Sequence, residues 1–420
     1  MLDIKFIRNN KELIEEAIKN KNINLDLEEL LSLDEKRRDL IKKIDELNFE
    51  QKKITKEKIE EGKKIKQELK IIESELKEIE EKYNNLMLLV PNVYSSDTPI
   101  GQDERDNKEV FKWGEIPKFD FEIKDHIQLG KDLNLIDLEK GVKTSGFRGY
   151  YLKNEAVLLE IALIWHSLLK MRNHGFTLMI PPTILKEFAL VGSGHFPMGK
   201  EDIYQIANPG KLSDGKEISE PLFLAGTSEP ALLAYFADEI LDKKDLPIKV
   251  CGVSNCYRSE VGSYGKDTKG LYRVHEFKKV EQVVLCENDI EKSCYWLEEM
   301  RKISEEILKD LELPYRVIQI CTGDMGYGKY KMYDIETYMP SRNSYGETHS
   351  DSNLTDWQAR RLNIKYKDEN GEKKYVHTLN NTVIASPRIL IAILENYQQK
   401  DGSIKVPKVL QKYLDFEVIK

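Results

Sequence analysis

Between Leu27 and Leu89 the chain narrows almost to Lys, Glu, Leu and Ile, and its apolar residues recur at helical spacing. Leu33, Leu40, Ile44, Leu47 and Ile54 are separated by sevens, fours and threes. Beyond Gly62, the series Ile65, Leu69, Ile72, Leu76, Ile79, Tyr83 and Leu86 alternates steps of four and three without a break. Such a stripe runs down one side of an α-helix and needs a second helix to cover it. The spacing predicts two helices joined near Glu61–Gly62, folded back as an antiparallel coiled-coil hairpin. Val90-Pro91-Asn92 stops the second helix. Heptads do not name a partner, so a dimerisation stalk and a binding arm both remain open. Lys52, Lys53, Lys56, Lys58, Lys63, Lys64 and Lys66 crowd the turn. A basic tip is where a phosphate-backbone contact would be sought, and a solvated face is the competing explanation.

The rest of the 420 residues leaves room for a large core and two or three domains. Hydrophobic content of 40% and charged content of 33% fit a soluble globular protein. A net charge of −8 excludes a global attraction to nucleic acid, so any RNA contact must be a local basic patch. The start, Met1 to Asn10, has no apolar run suited to a signal peptide, and no stretch approaches a membrane span. A cytoplasmic protein without membrane contact is expected. Cys251, Cys256, Cys286, Cys294 and Cys321 are an odd number in a long chain, which argues for a reducing compartment. No Cys or His pairs stand at finger spacing, so no zinc site is expected.

Residues 1–26 read as a short helix with an entry strand or turn. Ser95–Gly114 reads as a polar connector, dividing the chain into domains 1–114 and 115–420. A helix around Leu133–Leu138 and a strand at Ser145–Tyr151 are expected. Asn154–His174 has helical periodicity through Val157, Leu158, Ile161, Ile164, Trp165, Leu168 and Leu169. Phe176–Ile180 reads as a strand ending at Pro181-Pro182. Asp202–Ile206 and Leu222–Ala225 read as strands, followed by Thr227 as N-cap of a helix over Ala231–Leu241. Ile290–Leu311 is amphipathic, Tyr315–Cys321 and Tyr333–Tyr338 alternate as strands, and Thr355–Arg361 starts a short helix. His377 onward passes from strand into a helix at Arg388–Gln398.

Chemistry concentrates in Cys256 to Glu281. An apolar strand, Ile248–Val253, leads into it, a loop rich in Gly, Ser, Asp and Lys spans Gly262–Gly270, and Glu276–Leu285 alternates as a second strand. The resulting hairpin carries Arg258, Glu260, Arg273, Phe277 and Glu281. Arginines grip phosphate oxygens in a planar fork, an aromatic face stacks on a base, and a carboxylate accepts from an amine. Taken singly, each of these charges fits a solvated hairpin equally well.

The whole string does not. Arg258-Ser-Glu-x-Gly-Ser followed by Asp-x-x-Gly-Leu-x-Arg273-x-His-x-Phe277-x-Lys-Val-Glu281 resembles the second signature motif of class II aminoacyl-tRNA synthetases, in the form that seryl-tRNA synthetases use. The helix and strand ending at Pro181 resemble the first motif. The run from His377 to Leu390 resembles the third, with Leu379-Asn-Asn-Thr382 replacing its Gly-rich spelling. Thr227-Ser-Glu229 resembles the amino-acid-recognition loop. The resemblance implies an α+β fold: a helical-hairpin domain with its arm at 27–89, then an antiparallel sheet flanked by helices. It implies a homodimer that activates L-serine with ATP and Mg2+ and charges tRNA(Ser) through the arm, and leaves tRNA(Sec) open.

Carried over by position, Arg258 would bind the α-phosphate and the serine carboxylate, with Ser259 beside it. Glu260 and the backbone at Val274 would hold adenine, and Phe277 would stack on it. Arg273 and Arg388 would neutralise the outer phosphates; Arg258 and Arg388 would be the catalytic pair. Glu347 and Ser350 would hold magnesium, with Thr348 and His349 in the same nucleotide-binding stretch. Thr227, Ser228, Glu229, Glu281, Asn380 and Thr382, together with Arg258, would surround serine. Gly346 stands where many members carry Arg, removing a phosphate contact, and Asp351 where many carry Cys, altering the surroundings of the metal ligands. An amino acid:carrier-protein ligase on the same catalytic domain would lack the arm, and a non-catalytic paralog would have broken phosphate-binding positions.

Overall fold

The structure is a computed structural model that describes residues 1–53, 59–208, 210–261 and 269–420. Ile54, Lys56 and Lys58 of the expected seam and basic tip, and residues 262–268 of the hairpin loop, lie outside the described residues. The chain divides into two compact units, Met1–Val93 and Tyr94–Lys420.

The first unit opens with two short helices, Ile4–Asn9 and Lys11–Asn20, where one was expected. The arm follows as helices Leu27–Lys52 and Ile59–Leu89. Asp26 caps the first by accepting from the Glu29 amide at 3.0 Å. Leu33, Leu40, Ile65, Leu69 and Tyr83 of the two stripes are buried against each other, whereas Ile71, off the stripe, is exposed. Arg37, early in the first helix, meets Glu80, late in the second, at 3.1 Å, and its guanidinium lies 5.3 Å over the Tyr83 ring. The helices therefore run antiparallel.

The second unit is built on an eight-stranded sheet. Its strands in chain order are β1 Lys108–Trp113, β2 Thr177–Met179, β3 Ile248–Tyr257, β4 Glu276–Cys286, β5 Tyr315–Gln319, β6 Lys331–Met339, β7 Ser344–Asn353 and β8 His377–Ala385. They lie in the order β1-β5-β6-β7-β8-β4-β3-β2. All neighbours are antiparallel except β2, which joins the edge parallel to β3. One face is covered by the helices Glu155–Asn173, Ile290–Asp310 and Ser386–Asn396, whose Leu159, Leu163, Leu297, Ile307, Ile389 and Ile393 are fully buried with Val280, Val284 and Leu379 of the sheet. Each such side chain contributes about 1.5–3 kcal/mol on burial. The other face carries the polar side chains described below.

Several local expectations give way. The connector ends in a real strand, β1, which pairs with β5, so the units divide after Val93 and not after Gly114. The helix expected at Leu133–Leu138 is two helices, His126–Asp132 and Leu138–Ser145, capped by Asp125 and Asp137. Asn134, at φ 56°, breaks them apart. The strand expected at Ser145–Tyr151 shrinks to Tyr151–Leu152, because Gly146 and Arg148 take φ of 82° and 64°, which no strand accommodates. The helix expected over Ala231–Leu241 spans Glu229–Ala234. Asp238 at φ 62° ends the turn, and Ile240–Asp242 pairs parallel with Lys365–Lys367. Asp202–Ile206 is not a strand; Gln205 alone bridges to Phe223.

Candidate active site

The hairpin of β3 and β4 places Gly252 opposite Glu281 and Cys256 opposite Phe277. Just past β3, Arg258 leans back toward the sheet. Its Nε donates to the Gly226 carbonyl at 3.2 Å, and its guanidinium lies 5.4 Å from the Phe277 ring centroid. Ser259 turns away: its hydroxyl donates to the Glu201 carbonyl at 2.7 Å. Glu260 adopts φ 54°, a conformation that costs a non-glycine residue about 1–2 kcal/mol and recurs at functional sites. Its carboxylate lies 3.2 Å from Arg273 and 3.8 Å from the buried Arg148. Arg148 drew no notice in the sequence, since its contact spans 112 positions.

Arg388 enters from the first turn of the helix Ser386–Asn396. Its Nε donates to the Tyr272 carbonyl at 3.2 Å, and its Nη1 donates to the Glu347 carbonyl at 2.9 Å and meets the Glu347 carboxylate at 3.1 Å. Burial alone would push Glu347 up, but Arg388, Arg258 and Arg273 outweigh it and hold the carboxyl below its ordinary range. The Tyr272 ring carries Arg388 at 4.5 Å and Arg342 at 4.0 Å, and a Cβ on Gly346 would come within 3.0 Å of its hydroxyl. Glycine at 346 thus leaves Tyr272 its place.

Strand alternation would send Glu347 and Ser350, three residues apart, to opposite faces. The register of β6 and β7 shows otherwise: Ile335 pairs with His349 and Glu336 with Glu347, so Thr348 is an extra, bulged residue. The bulge brings Glu347 and Ser350 to the same face, beside Glu336 and Asp334. Thr348 donates instead to the Ile335 carbonyl at 3.1 Å and lies 2.8 Å from His349 Nδ1. Burial pushes His349 down to about 4. Asp334 Oδ1 is buried with no hydrogen-bond partner, and burial, then Glu347, raise its carboxyl well above the usual value. An orphaned buried oxygen beside a carboxylate and a hydroxyl is a donor set suited to a hard cation that keeps water and phosphate ligands. Asp351, next to Ser350 on β7, points to the other face and is fully buried near Arg301.

Next to this lies a cluster of buried polar side chains. Glu281 is 2% exposed; its Oε2 is 2.5 Å from Lys279 and accepts from Thr382 at 3.4 Å. Burial raises its carboxyl, Lys279 opposes, and Glu229 adds to the rise. Glu229 Oε1 accepts from Asn380 at 2.9 Å and from Gln358 at 2.7 Å. The N-cap of the helix Glu229–Ala234 is Ser228 and not Thr227 as expected; Thr227 Oγ1 accepts from the Glu229 amide at 3.4 Å, and Ser228 donates to the Gly252 carbonyl at 3.5 Å. Lys279 was legible as the residue two before Glu281 on the same strand face; Gln358 carried no local signal.

Arg258, Glu260, Arg273, Val274, Phe277, Glu347, Thr348, His349, Ser350, Thr382 and Arg388 line one cavity of about 190 Å³. It opens into a cleft of about 580 Å³ through Arg258, Glu260 and Arg273. Cationic guanidiniums and an aromatic face, with two buried carboxylates close by, suit a nucleotide and an amino acid side by side.

Comparison with known proteins agrees. Residues 211–397 match the tRNA synthetase class II core domain (G, H, P, S and T), and residues 1–94 match the seryl-tRNA synthetase N-terminal domain. A serine–tRNA ligase of Treponema denticola is 44% identical over 434 residues, covering 100% of each chain. The chain belongs to the seryl-tRNA synthetases. The seryl-tRNA synthetase of Pyrococcus horikoshii, solved with ATP, superposes with a TM-score of 0.89 at 38% identity, covering 100% of this chain and 99% of that one. That of Naegleria fowleri, solved with AMP, gives 0.88 at 31%, with the same coverage. The seryl-tRNA synthetase fold explains the two units: the arm-bearing domain and the class II sheet. Among the described residues no helix is long and apolar enough to cross a membrane.

Proposed function

We propose the following division of labour for the serine–tRNA ligase reaction, in which ATP and L-serine give seryl-adenylate and the seryl group passes to tRNA(Ser). Arg258 grips the α-phosphate and the serine carboxylate together. Glu260, fixed by Arg148 and Arg273, and the backbone at Val274 receive adenine against Phe277. Arg273 and Arg388 take the charge of the leaving pyrophosphate. Glu281 and Glu229 accept from the serine ammonium and hydroxyl, with Thr227, Ser228, Asn380 and Thr382 closing the pocket. Glu347, Ser350 and the orphaned oxygen of Asp334 would hold magnesium, which would supply charge neutralisation on the triphosphate.

No general base is needed for the first step. The serine carboxylate attacks the α-phosphorus in line, and positioning with charge neutralisation supplies the acceleration. The observation that carries the reading is the pair of buried carboxylates, Glu281 and Glu229, the first of them held by Lys279 and Thr382, which line the nucleotide cavity. An amino acid binds with its ammonium on the carboxylates and its carboxylate on the arginine. A pocket built to pair a hydroxyl rejects an analogue lacking it by about 10⁴-fold or more.

The arm, residues 27–89, would contact tRNA by shape and backbone. The helix Glu155–Asn173 leaves Ile161 and Trp165 more than half exposed, at 55% and 51%, and Ile180 follows at 87%. That apolar face supports the homodimer usual in the family. The cytoplasm, where charging serves translation, is the compartment we assign.

ATP–pyrophosphate exchange with each amino acid in turn tests the pocket, and charging of tRNA(Ser) and tRNA(Sec) with and without residues 27–89 tests the arm. Serine-dependent exchange that survives arm deletion, with charging lost, is expected. Exchange with a different amino acid would sink the assignment of Glu281 and Glu229.

A further inference from the structure

A short loop forms part of the wall of the 580 Å³ cleft. The helix Glu187–Ser193 ends at Gly194, whose φ is 86° and where a Cβ would come 2.5 Å from the Trp357 ring. Only glycine fits there. The Ser193 carbonyl accepts from Gln358 Nε2 at 2.8 Å, and the Gly194 carbonyl accepts from the Tyr327 hydroxyl at 2.8 Å. Gln358 is the amide that also holds Glu229. The loop is therefore tied to the serine side of the site, and it presents His195 to the cleft.

The ring's tautomer follows from its neighbours. Ser193 Oγ donates to the Leu190 carbonyl at 3.2 Å and lies 2.9 Å from His195 Nδ1. A hydroxyl has one proton; with it given to Leu190, the oxygen accepts from Nδ1–H. The neutral imidazole then keeps its lone pair on Nε2. The same cleft shares Arg258, Glu260 and Arg273 with the nucleotide cavity. An acceptor nitrogen and the guanidinium assigned to the α-phosphate thus sit at one opening.

We propose that His195 accepts, on Nε2, the proton of the terminal ribose hydroxyl of tRNA as that oxygen attacks the seryl-adenylate. The proposal rests on the ligase reading above. The ribose oxygen bonds to the seryl carbonyl carbon, the bond from that carbon to the phosphate oxygen breaks, and AMP leaves with the electron pair. The proton passes to the imidazole and on to water.

The surroundings suit an acceptor that becomes basic when needed. Burial first, then Lys329, Arg258 and Lys279, push His195 down to about 3, so the ring is neutral before substrate arrives. Asp202, Glu260, Arg273 and Tyr327 line the same cleft, the Tyr327 hydroxyl donating to the Gly194 carbonyl beside the ring. An adenylate phosphate on Arg258 offsets the nearby positive charge and raises the basicity of the imidazole.

The test compares wild type, His195→Ala and His195→Gln in pyrophosphate exchange and in single-turnover transfer from preformed seryl-adenylate to tRNA. Transfer should fall by about 10²-fold more than exchange does. Added imidazole should restore transfer by His195→Ala. Equal loss in both assays, or transfer that keeps its rate, would overturn the proposal. Absence of serine-dependent exchange in the wild type would overturn the functional reading, and the proposal with it.

Discussion

Arg388 grips Glu347 by its carbonyl and its carboxylate at once, while holding the Tyr272 carbonyl. A planar fork does this and an ammonium cannot. Arg388→Lys should therefore lower the exchange rate by about 10²–10³-fold, the usual loss for one preorganised donor at a developing charge, and a rate within threefold of wild type would refute the role. Glu281 is paired by Lys279 and Thr382 in a buried place, where burial raises its carboxyl and Lys279 opposes the rise. Glu281→Gln keeps the shape and removes the charge-assisted bond proposed for the serine ammonium, worth about 1.5–3 kcal/mol. The expected outcome is a rise of about 10–100-fold in KM for serine with KM for ATP little changed. An increase in the ATP KM instead would place Glu281 on the nucleotide.

At the scale of elements, the bulge at Thr348 decides the nucleotide site. One extra residue turns a three-residue spacing into a shared face and brings Glu347 and Ser350 beside Asp334. The helix Glu155–Asn173 has two working faces. Leu159 and Leu163 are fully buried against the sheet, while Leu158, Ile161 and Trp165 point outward. In a two-fold dimer a substitution there acts twice. Ile161→Asp should convert the protein to monomer at micromolar concentration, read by light scattering, with the circular dichroism spectrum retained. A dimer of unaltered affinity would move the interface elsewhere.

For the whole molecule, acid stability reports buried groups. His377 is 4% exposed, with Nδ1 3.0 Å from Ser293 Oγ, and burial pushes it from 6.5 to about 4 despite the opposing pull of Asp356 and Asp289. Between those values the unfolded chain binds a proton that the folded chain refuses. Stability from this group is full above about 6.5 and is lost as pH falls toward 4. From pH 7 to pH 5 the wild type should lose about 2 kcal/mol more than His377→Gln, measured by urea unfolding. Parallel losses would show that His377 stays protonatable in the fold.

The sequence by itself determined the helical arm, the β3–β4 hairpin, the long helices and the identity of Arg258, Glu260, Arg273, Glu281 and Arg388. Those signals are local: a four–three period, an alternating strand, and a motif whose spacing places charges on one hairpin. Only the tertiary structure decided the rest. Positive φ at Asn134, Arg148 and Asp238 cut expected elements short, and no pattern of apolar residues announces them. The Thr348 bulge shows only in the pairing of β7 with β6. Arg148 at Glu260, Gln358 at Glu229 and His195 at the cleft depend on contacts between distant segments. Local propensity fixes which way a side chain faces along its own element. Which partner it meets is fixed by how the elements pack, because burial leaves each polar group only the neighbours that packing provides.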